Sequence, residues 1–109
     1  KGMAVASYLY LAQIAIPQEI EDDFNRLYDE GYLPNLRKVP GVERAERYKL
    51  EWSDVPDMPE YLAVYDIDNP DVPKSDAWKN ASISCGWAET IRPRMTVRRH
   101  GLFRKVSQD

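Results

Sequence analysis

The residue best suited to moving a proton in this chain is its single histidine, His100. Imidazole has an unperturbed pKa close to neutrality, so it can act as a general acid or base. Strand alternation places Arg98 and His100 on one face, where the guanidinium lowers the imidazole pKa and keeps it neutral. We therefore predict His100 as the acid or base and either Arg98 or Arg44 as the anion stabiliser. The alternative is a strand-end histidine bonded to water or a backbone carbonyl.

Arg44 and Asp66 are further charged candidates for substrate binding. Arg44 and Arg47 fall on opposite faces of one predicted strand, so at most one points inward. An inward arginine would clamp a carboxylate or stabilise an enolate, whereas ion pairing with Glu43, Glu46 or the partner chain is the alternative. Asp66 alternates with apolar neighbours, and a buried carboxyl there would need a partner or a raised pKa. Asp66 is thus a second acid or base candidate.

Aromatic side chains recur on the predicted strands and helices. The phenols on strands are Tyr8, Tyr10, Tyr48, Tyr61 and Tyr65. A cavity lined by several of them would suit a planar aromatic or polyketide-like ligand. We select Tyr8, Tyr65 and Trp78 as pocket residues. The alternative is core packing for each of them, or a dimer contact for the tyrosines.

Composition and absent motifs exclude several function classes. The net charge of -3 argues against nucleic acid, whose binding draws on Lys and Arg contacts to phosphates. The chain has no Cys/His cluster for zinc, and one histidine cannot form a two-histidine iron site. It also lacks the glycine-rich phosphate loops and the nucleophile elbow. We expect no metal and no tightly bound cofactor, and an axial haem ligand would have to be His100.

The sequence also bears on location. No apolar run approaches the ~20 residues that cross a bilayer, and the first residues lack a signal-peptide pattern. The one cysteine, Cys85, cannot form an intrachain disulfide, which fits a reducing compartment. We therefore expect a cytoplasmic protein that does not enter a membrane. Whether Lys1 and Gly2, which precede Met3, are native stays open.

Periodicity and turn residues predict one α+β domain over residues 1–109, in the order βαββαβ. The predicted strands cover residues 7–16, 42–51, 60–68 and 90–106, and the helices cover residues 17–30 and 73–84. We expect Gly31 to end the first helix and Asp71 to cap the second. The first strand is apolar on both faces and should be central, whereas the charged second strand suits an edge. This order is ferredoxin-like and predicts a four-stranded antiparallel sheet with one uncovered face, and hence a homodimer.

Three segments carry a family resemblance: Asn25-Arg-Leu-Tyr-Asp-Glu-Gly-Tyr-Leu-Pro34, Val39-Pro-Gly-Val42 and Arg47-Tyr48. They resemble EthD-like (ethyl tert-butyl ether degradation protein-like) proteins of the dimeric α+β barrel superfamily. Tyr65-Asp-Ile-Asp-Asn-Pro70 and Trp78 resemble that superfamily's third strand and second helix. The resemblance implies a homodimer whose sheets pack face to face, with a pocket between sheet and helices in each subunit. Relatives often carry a histidine where this chain has Gly31 or Tyr32, so a role for that histidine does not transfer.

The resemblance leaves two functions open. Superfamily members include cofactor-free monooxygenases, polyketide cyclases, lactone isomerases and haem enzymes, so fold alone says little about the reaction. One hypothesis is a small-molecule enzyme without a tightly bound cofactor, acting by proton transfer in isomerisation, cyclisation or oxygenation of an aromatic or polyketide-like substrate. The other is a non-catalytic small-ligand-binding or accessory homodimer, which the missing histidine favours. The enzyme hypothesis requires a closed pocket of roughly a few hundred Å3 containing at least two of the polar groups.

Overall fold

The structure, a computed structural model, describes residues 7–107 and contains one four-stranded antiparallel sheet. The strands are β1 (Tyr8–Ala15), β2 (Val42–Lys49), β3 (Tyr61–Ile67) and β4 (Val97–Arg104). Their spatial order is β2-β3-β1-β4, with helical segments between β1 and β2 and between β3 and β4. The predicted ferredoxin-like α+β fold is confirmed. Among these residues, no helix is long and apolar enough to span a membrane.

The two faces of the sheet have different surroundings. Ala12 of β1 lies opposite Ala63 of β3 and His100 of β4, so these three share the face that carries the helices. That face supplies the strand residues of the core, whereas the opposite face is half-buried or exposed. The apolar residues at the centre of this opposite face, called the open face below, are Leu9, Leu11, Leu62 and Val64. The predicted central position of β1 and edge position of β2 are both confirmed.

The first helical segment runs past the glycine that was expected to end it. It comprises α1 (Glu21–Leu27), a π-helical turn (Tyr28–Tyr32) and α2 (Leu33–Arg37). Gly31 instead allows a close approach, because a Cβ atom built there would lie 2.9 Å from Cys85 Sγ. Pro34 is tolerated because it occupies the first turn of α2. The predicted stop at Gly31 is therefore wrong.

The second helical segment is divided rather than continuous. It contains a 3-10 turn (Val72–Lys74), α3 (Asp76–Ser82) and a second 3-10 turn (Ser84–Gly86). Ser75, and not Asp71, caps α3, because its Oγ accepts a hydrogen bond from the Trp78 N–H at 3.1 Å. Gly86 then takes a positive φ of 76°, which glycine adopts without strain.

The chain before β4 is helical, although the sequence predicted a strand there. It forms α4 (Trp87–Thr90) and a 3-10 turn (Arg92–Arg94) before β4 begins. Pro93 explains the difference, since its fixed φ suits the first turn of a helix and it has no N–H for a strand ladder. This turn carries Arg92 beneath the sheet rather than along its edge.

Candidate functional site

A cavity of about 130 Å3 lies between the helix-facing side of the sheet and the helical segments. Six aromatic side chains line it: Tyr10, Tyr28, Tyr32, Tyr65, Trp78 and Trp87. Its lining groups that can carry positive charge are Arg92, Arg98 and His100. A cavity of about 150 Å3 can hold benzene, so this one has room for about one ring. It is smaller than the enzyme hypothesis required.

His100 faces this cavity from β4, where it is paired with Ala12. Partial burial lowers the pKa of the imidazole, and Arg98 and then Arg92 lower it further through charge repulsion. The residue as a whole remains exposed, so burial acts on only part of the ring. Since both causes disfavour the imidazolium ion, His100 is neutral at pH 7 and can accept a proton.

Arg92 and Arg98 bring positive charge to the cavity without a balancing carboxylate. Within residues 7–107, no Asp or Glu lines it and no ion pair involves either arginine. Arg92 Nη2 donates to the Ser82 carbonyl oxygen at 2.9 Å, but its Nε is buried without a hydrogen-bond partner. Two guanidinium groups that line one cavity attract an anion and can donate charge-assisted hydrogen bonds to it. The cavity is therefore suited to a negatively charged group.

A pair of tyrosine hydroxyls contributes neutral polar groups. Tyr28 Oη and Tyr65 Oη lie 3.1 Å apart and both residues are buried. Burial raises the pKa of both phenols, so both stay protonated. Tyr28 and Tyr32 come from the π-helical turn, a feature often found at functional sites. Tyr32 stacks on Trp87 with ring centroids 4.3 Å apart.

Arg47, not Arg44, is the arginine of β2 that points toward the helices. Its guanidinium carbon lies 4.4 Å from the centroid of the Tyr28 ring. Arg47 Nη2 donates to Asn25 Oδ1 at 2.6 Å, and Nη1 donates to Asp29 Oδ1 at 2.7 Å. Only 12% of the Arg47 side chain is exposed. Arg47 therefore holds the ring of Tyr28, a residue that lines the cavity, although Arg47 does not line the cavity itself.

The structure brings four of the predicted site residues to this cavity: His100, Arg98, Tyr65 and Trp78. It does not bring Tyr8, Arg44 or Asp66 there. Tyr8 lies at the far end of β1, opposite Ile67 and beyond the cavity.

Arg44 and Asp66 lie together on the open face, which corrects their predicted place in the pocket. Arg44 Nε is 3.4 Å from Asp66 Oδ2, and Arg44 Nη2 is 3.0 Å from Glu46 Oε1. The physical reason is a β-bulge between Val42 and Arg44, which follows the turn into β2. After it, Arg44 pairs across the ladder with Asp66 and turns away from the helices.

Sequence reasoning did not select Arg92, Tyr28 or Tyr32 as site residues. Arg92 was placed in a strand, although Pro93 beside it was a signal for a helical turn. Tyr28 and Tyr32 stand four residues apart next to an apolar stripe, a spacing that places two side chains on one helix face. That spacing was the available signal for both tyrosines.

The comparisons with known proteins concern the fold. No family model and no curated protein matches this sequence. A protein from Bordetella bronchiseptica assigned as an antibiotic biosynthesis monooxygenase is similar, with a TM-score of 0.69 and 16% identity over 94% of this chain and 99% of that chain. An EthD family protein from Bacillus halodurans has a TM-score of 0.62 and 14% identity over 86% of this chain and 96% of that chain.

The same fold occurs in MhuD, a heme-degrader from Mycobacterium tuberculosis whose structure has two hemes bound in its active site. Its TM-score is 0.64, with 14% identity over 94% of this chain and 98% of that chain. Such low identities show a shared fold and no more. They confirm the fold that the resemblance implied.

Neither haem nor a metal ion fits the residues at this site. A cavity of about 130 Å3 accommodates about one ring, whereas a porphyrin contains four pyrrole rings. Within the described part of the chain, no group of three or more His, Cys, Asp or Glu side chains is placed to hold a metal ion. The chemistry considered below therefore uses the side chains alone.

Proposed function

We propose that this protein is a small-molecule enzyme that moves a proton on a substrate bound in the cavity. His100 accepts the proton, and Arg92 and Arg98 stabilise the negative charge that develops. The supporting observation is that His100, whose pKa is lowered by burial and by Arg98 and Arg92, lines one cavity with both guanidinium groups, and that no carboxylate of residues 7–107 pairs with them. Such fixed positive charge stabilises an anion without reorganisation during the reaction.

The chemistry begins with a proton on a carbon next to a carbonyl group. His100 removes this proton, the electron pair moves to the carbonyl oxygen, and the resulting enolate lies near the arginines. The imidazolium that forms is disfavoured by the same arginines, so it readily returns the proton to another position. Isomerisation, cyclisation and cofactor-free oxygenation can all start from such an enolate. The cavity volume favours a single-ring aromatic substrate over a polyketide-like one with several rings.

A second candidate function is non-catalytic binding of the same kind of ligand. The observation that favours it is the cavity volume of about 130 Å3, which is below the usual range of ligand pockets. In this case the arginines and aromatic rings would hold an anion, and His100 would transfer no proton.

Solvent deuterium exchange separates the two functions. Single-ring keto acids with an exchangeable proton, such as phenylpyruvate, are incubated in D2O with wild type, His100→Gln or the control Arg104→Gln. Arg104 lies on the same face of β4 but outside the cavity. We expect exchange above the buffer rate in wild type and Arg104→Gln, and a loss of about a hundredfold in His100→Gln. Equal exchange in all three would contradict the enzyme proposal, and stabilisation by the acids without exchange would favour the binding function.

We also propose that two copies of the chain form a dimer through their open faces. The centre of this face is apolar, and Phe103 at its edge is 54% exposed in the isolated subunit. Exposed apolar patches of this kind mark interaction surfaces. A second copy would cover the patch and leave the cavity on the opposite side of each sheet.

A further inference from the structure

We propose that the cavity selects single-ring aromatic acids that carry an oxygen acceptor across the ring from the acid group. In this arrangement Arg92 and Arg98 bind the acid group, and the hydroxyl pair of Tyr28 and Tyr65 donates a hydrogen bond to the acceptor. The inference rests on the proposed function in one respect, which is that this cavity is the substrate site.

The hydroxyl pair has one proton left to donate. Two hydroxyls contain two O–H donors, and the bond between Tyr28 and Tyr65 uses one of them. Within residues 7–107, neither hydroxyl has another hydrogen-bond partner, and both residues line the cavity. Whichever tyrosine donates to the other, one O–H remains for a ligand. The pair therefore favours a ligand with a carbonyl, phenol or phenolate oxygen at this position.

The arginines and the hydroxyl pair lie toward opposite sides of the cavity. Arg98 belongs to β4 and Arg92 precedes that strand, whereas Tyr65 belongs to β3. β1 separates these strands, so their backbones lie about 10 Å apart, or two interstrand spacings. The two ends are also offset along β1, because Arg98 pairs with Ile14 whereas Tyr65 pairs with Tyr10. The cation end and the hydroxyl end therefore lie apart, and the cavity that both line holds about one ring. A rigid ligand with its two polar groups on opposite ring carbons places these groups as far apart as one ring allows.

The walls between the two ends suit the ring itself. Tyr10 and Trp78 both line the cavity and meet edge to face, with ring centroids 5.2 Å apart. Tyr65 also meets Trp78 edge to face at 5.1 Å. Aromatic ligands gain stacking and edge contacts from such walls in addition to area burial. All three parts of the ligand therefore have matching groups in the protein.

Calorimetric titration with benzoate and 4-hydroxybenzoate tests the inference. These probes share the acid and the ring and differ only in the para oxygen. We expect wild type to bind 4-hydroxybenzoate about fivefold more tightly, as one additional neutral hydrogen bond predicts. The double variant Tyr28→Phe/Tyr65→Phe should bind both probes equally. Replacing both partners of a hydrogen bond by apolar groups of the same shape is nearly neutral for folding, so this variant should remain folded.

The single variants and a matched control sharpen the test. Tyr28→Phe and Tyr65→Phe each leave one hydroxyl with its proton free, so each should keep the preference for 4-hydroxybenzoate. Tyr48→Phe is the control, since Tyr48 is 50% exposed and does not line the cavity. Equal binding of the two probes by wild type, a preference retained in the double variant, or no binding of either probe would each overturn the inference. A preference for 4-hydroxybenzoate in a protein that shows no His100-dependent deuterium exchange would instead contradict only the proposed catalysis.

Discussion

The ring of Tyr10 lies nearly parallel to the imidazole of His100, with centroids 5.6 Å apart and planes inclined by 12°. Tyr10 belongs to the central strand and also contacts Trp78 and Tyr65. The histidine is thus the edge of an aromatic cluster that extends across the cavity. Arg98 and Arg92 lower its pKa through charge repulsion, so its protonation responds to the positive charge at the cavity.

The pKa of His100 is the first quantity to measure. We expect the titration of its ring protons by NMR to give a pKa below the ordinary value near 6.5, and the chain has no other histidine to confuse the signal. Because charge repulsion from Arg98 is the second cause of the lowered pKa, after burial, Arg98→Gln should raise this pKa part of the way back. Arg104→Gln should leave it unchanged. A His100 pKa above 6.5 in wild type would contradict the described environment.

The same pKa shift predicts a pH dependence of stability. Between the lowered pKa of the folded protein and the ordinary pKa of the unfolded chain, the unfolded state binds more protons. The free energy of unfolding should therefore fall as the pH drops through this window, and the effect should be absent above the unfolded pKa. Urea titrations of wild type and His100→Gln across this range should show a smaller slope in the variant.

Arg92 should contribute more to anion binding than its neighbour Arg94. Both belong to one 3-10 turn, but Arg92 lines the cavity and the Arg94 side chain is 48% exposed beside Glu19. We expect Arg92→Gln to weaken benzoate binding at least tenfold, since hydrogen bonds to charged groups contribute about 1.5–3 kcal/mol. Arg94→Gln should bind benzoate as wild type does. Equal losses in both variants would indicate a diffuse electrostatic effect rather than a site.

The effect of Gly31→Ala on the free energy of unfolding should change sign with the residue at position 85. In wild type the added Cβ lies 2.9 Å from Cys85 Sγ and 3.0 Å from Cys85 Cβ, so we expect a loss of about 1–2 kcal/mol in the free energy of unfolding. Cys85→Gly removes both atoms and also suits the positive φ of 55° at that position. In that background Gly31→Ala should stabilise, because alanine is the better helix former. Urea denaturation of the four proteins checks this, and additive effects would contradict the close contact.

Val64→Asp should convert the proposed dimer into a monomer. Val64 lies on the open face between Leu11 of β1 and Glu46 of β2, where a carboxylate would be buried without a partner in the dimer. Asn80→Asp adds the same charge on the exposed part of α3 and should leave the dimer intact. Sedimentation of the two variants measures their oligomeric state. A wild-type protein that is monomeric at micromolar concentration would contradict the proposed interface.

Much of the fold could be predicted because it depends on local patterns. The alternation in Tyr61–Ile67 places every second residue in the core, as the structure shows. The charged residues of β2 likewise indicated an edge. The two errors have different causes. At Gly31 a tertiary contact, the close approach of Cys85, matters more than helix termination. At Pro93 the local preference of proline for the first turn of a helix outweighs the strand pattern around it.

The sequence by itself determined the order of strands and helices, the two faces of β1, and the pairing of Arg98 with His100 on one face of β4. These follow from side-chain periodicity, which is local to each element. Only the tertiary structure decided which polar residues meet. It joined Arg92 to that pair and Tyr28 to Tyr65, and it moved Arg44 and Asp66 to the open face. The reason is physical, because those encounters depend on a proline turn, a π-helical turn and a β-bulge. Which way these features direct the side chains appears only when the elements pack together.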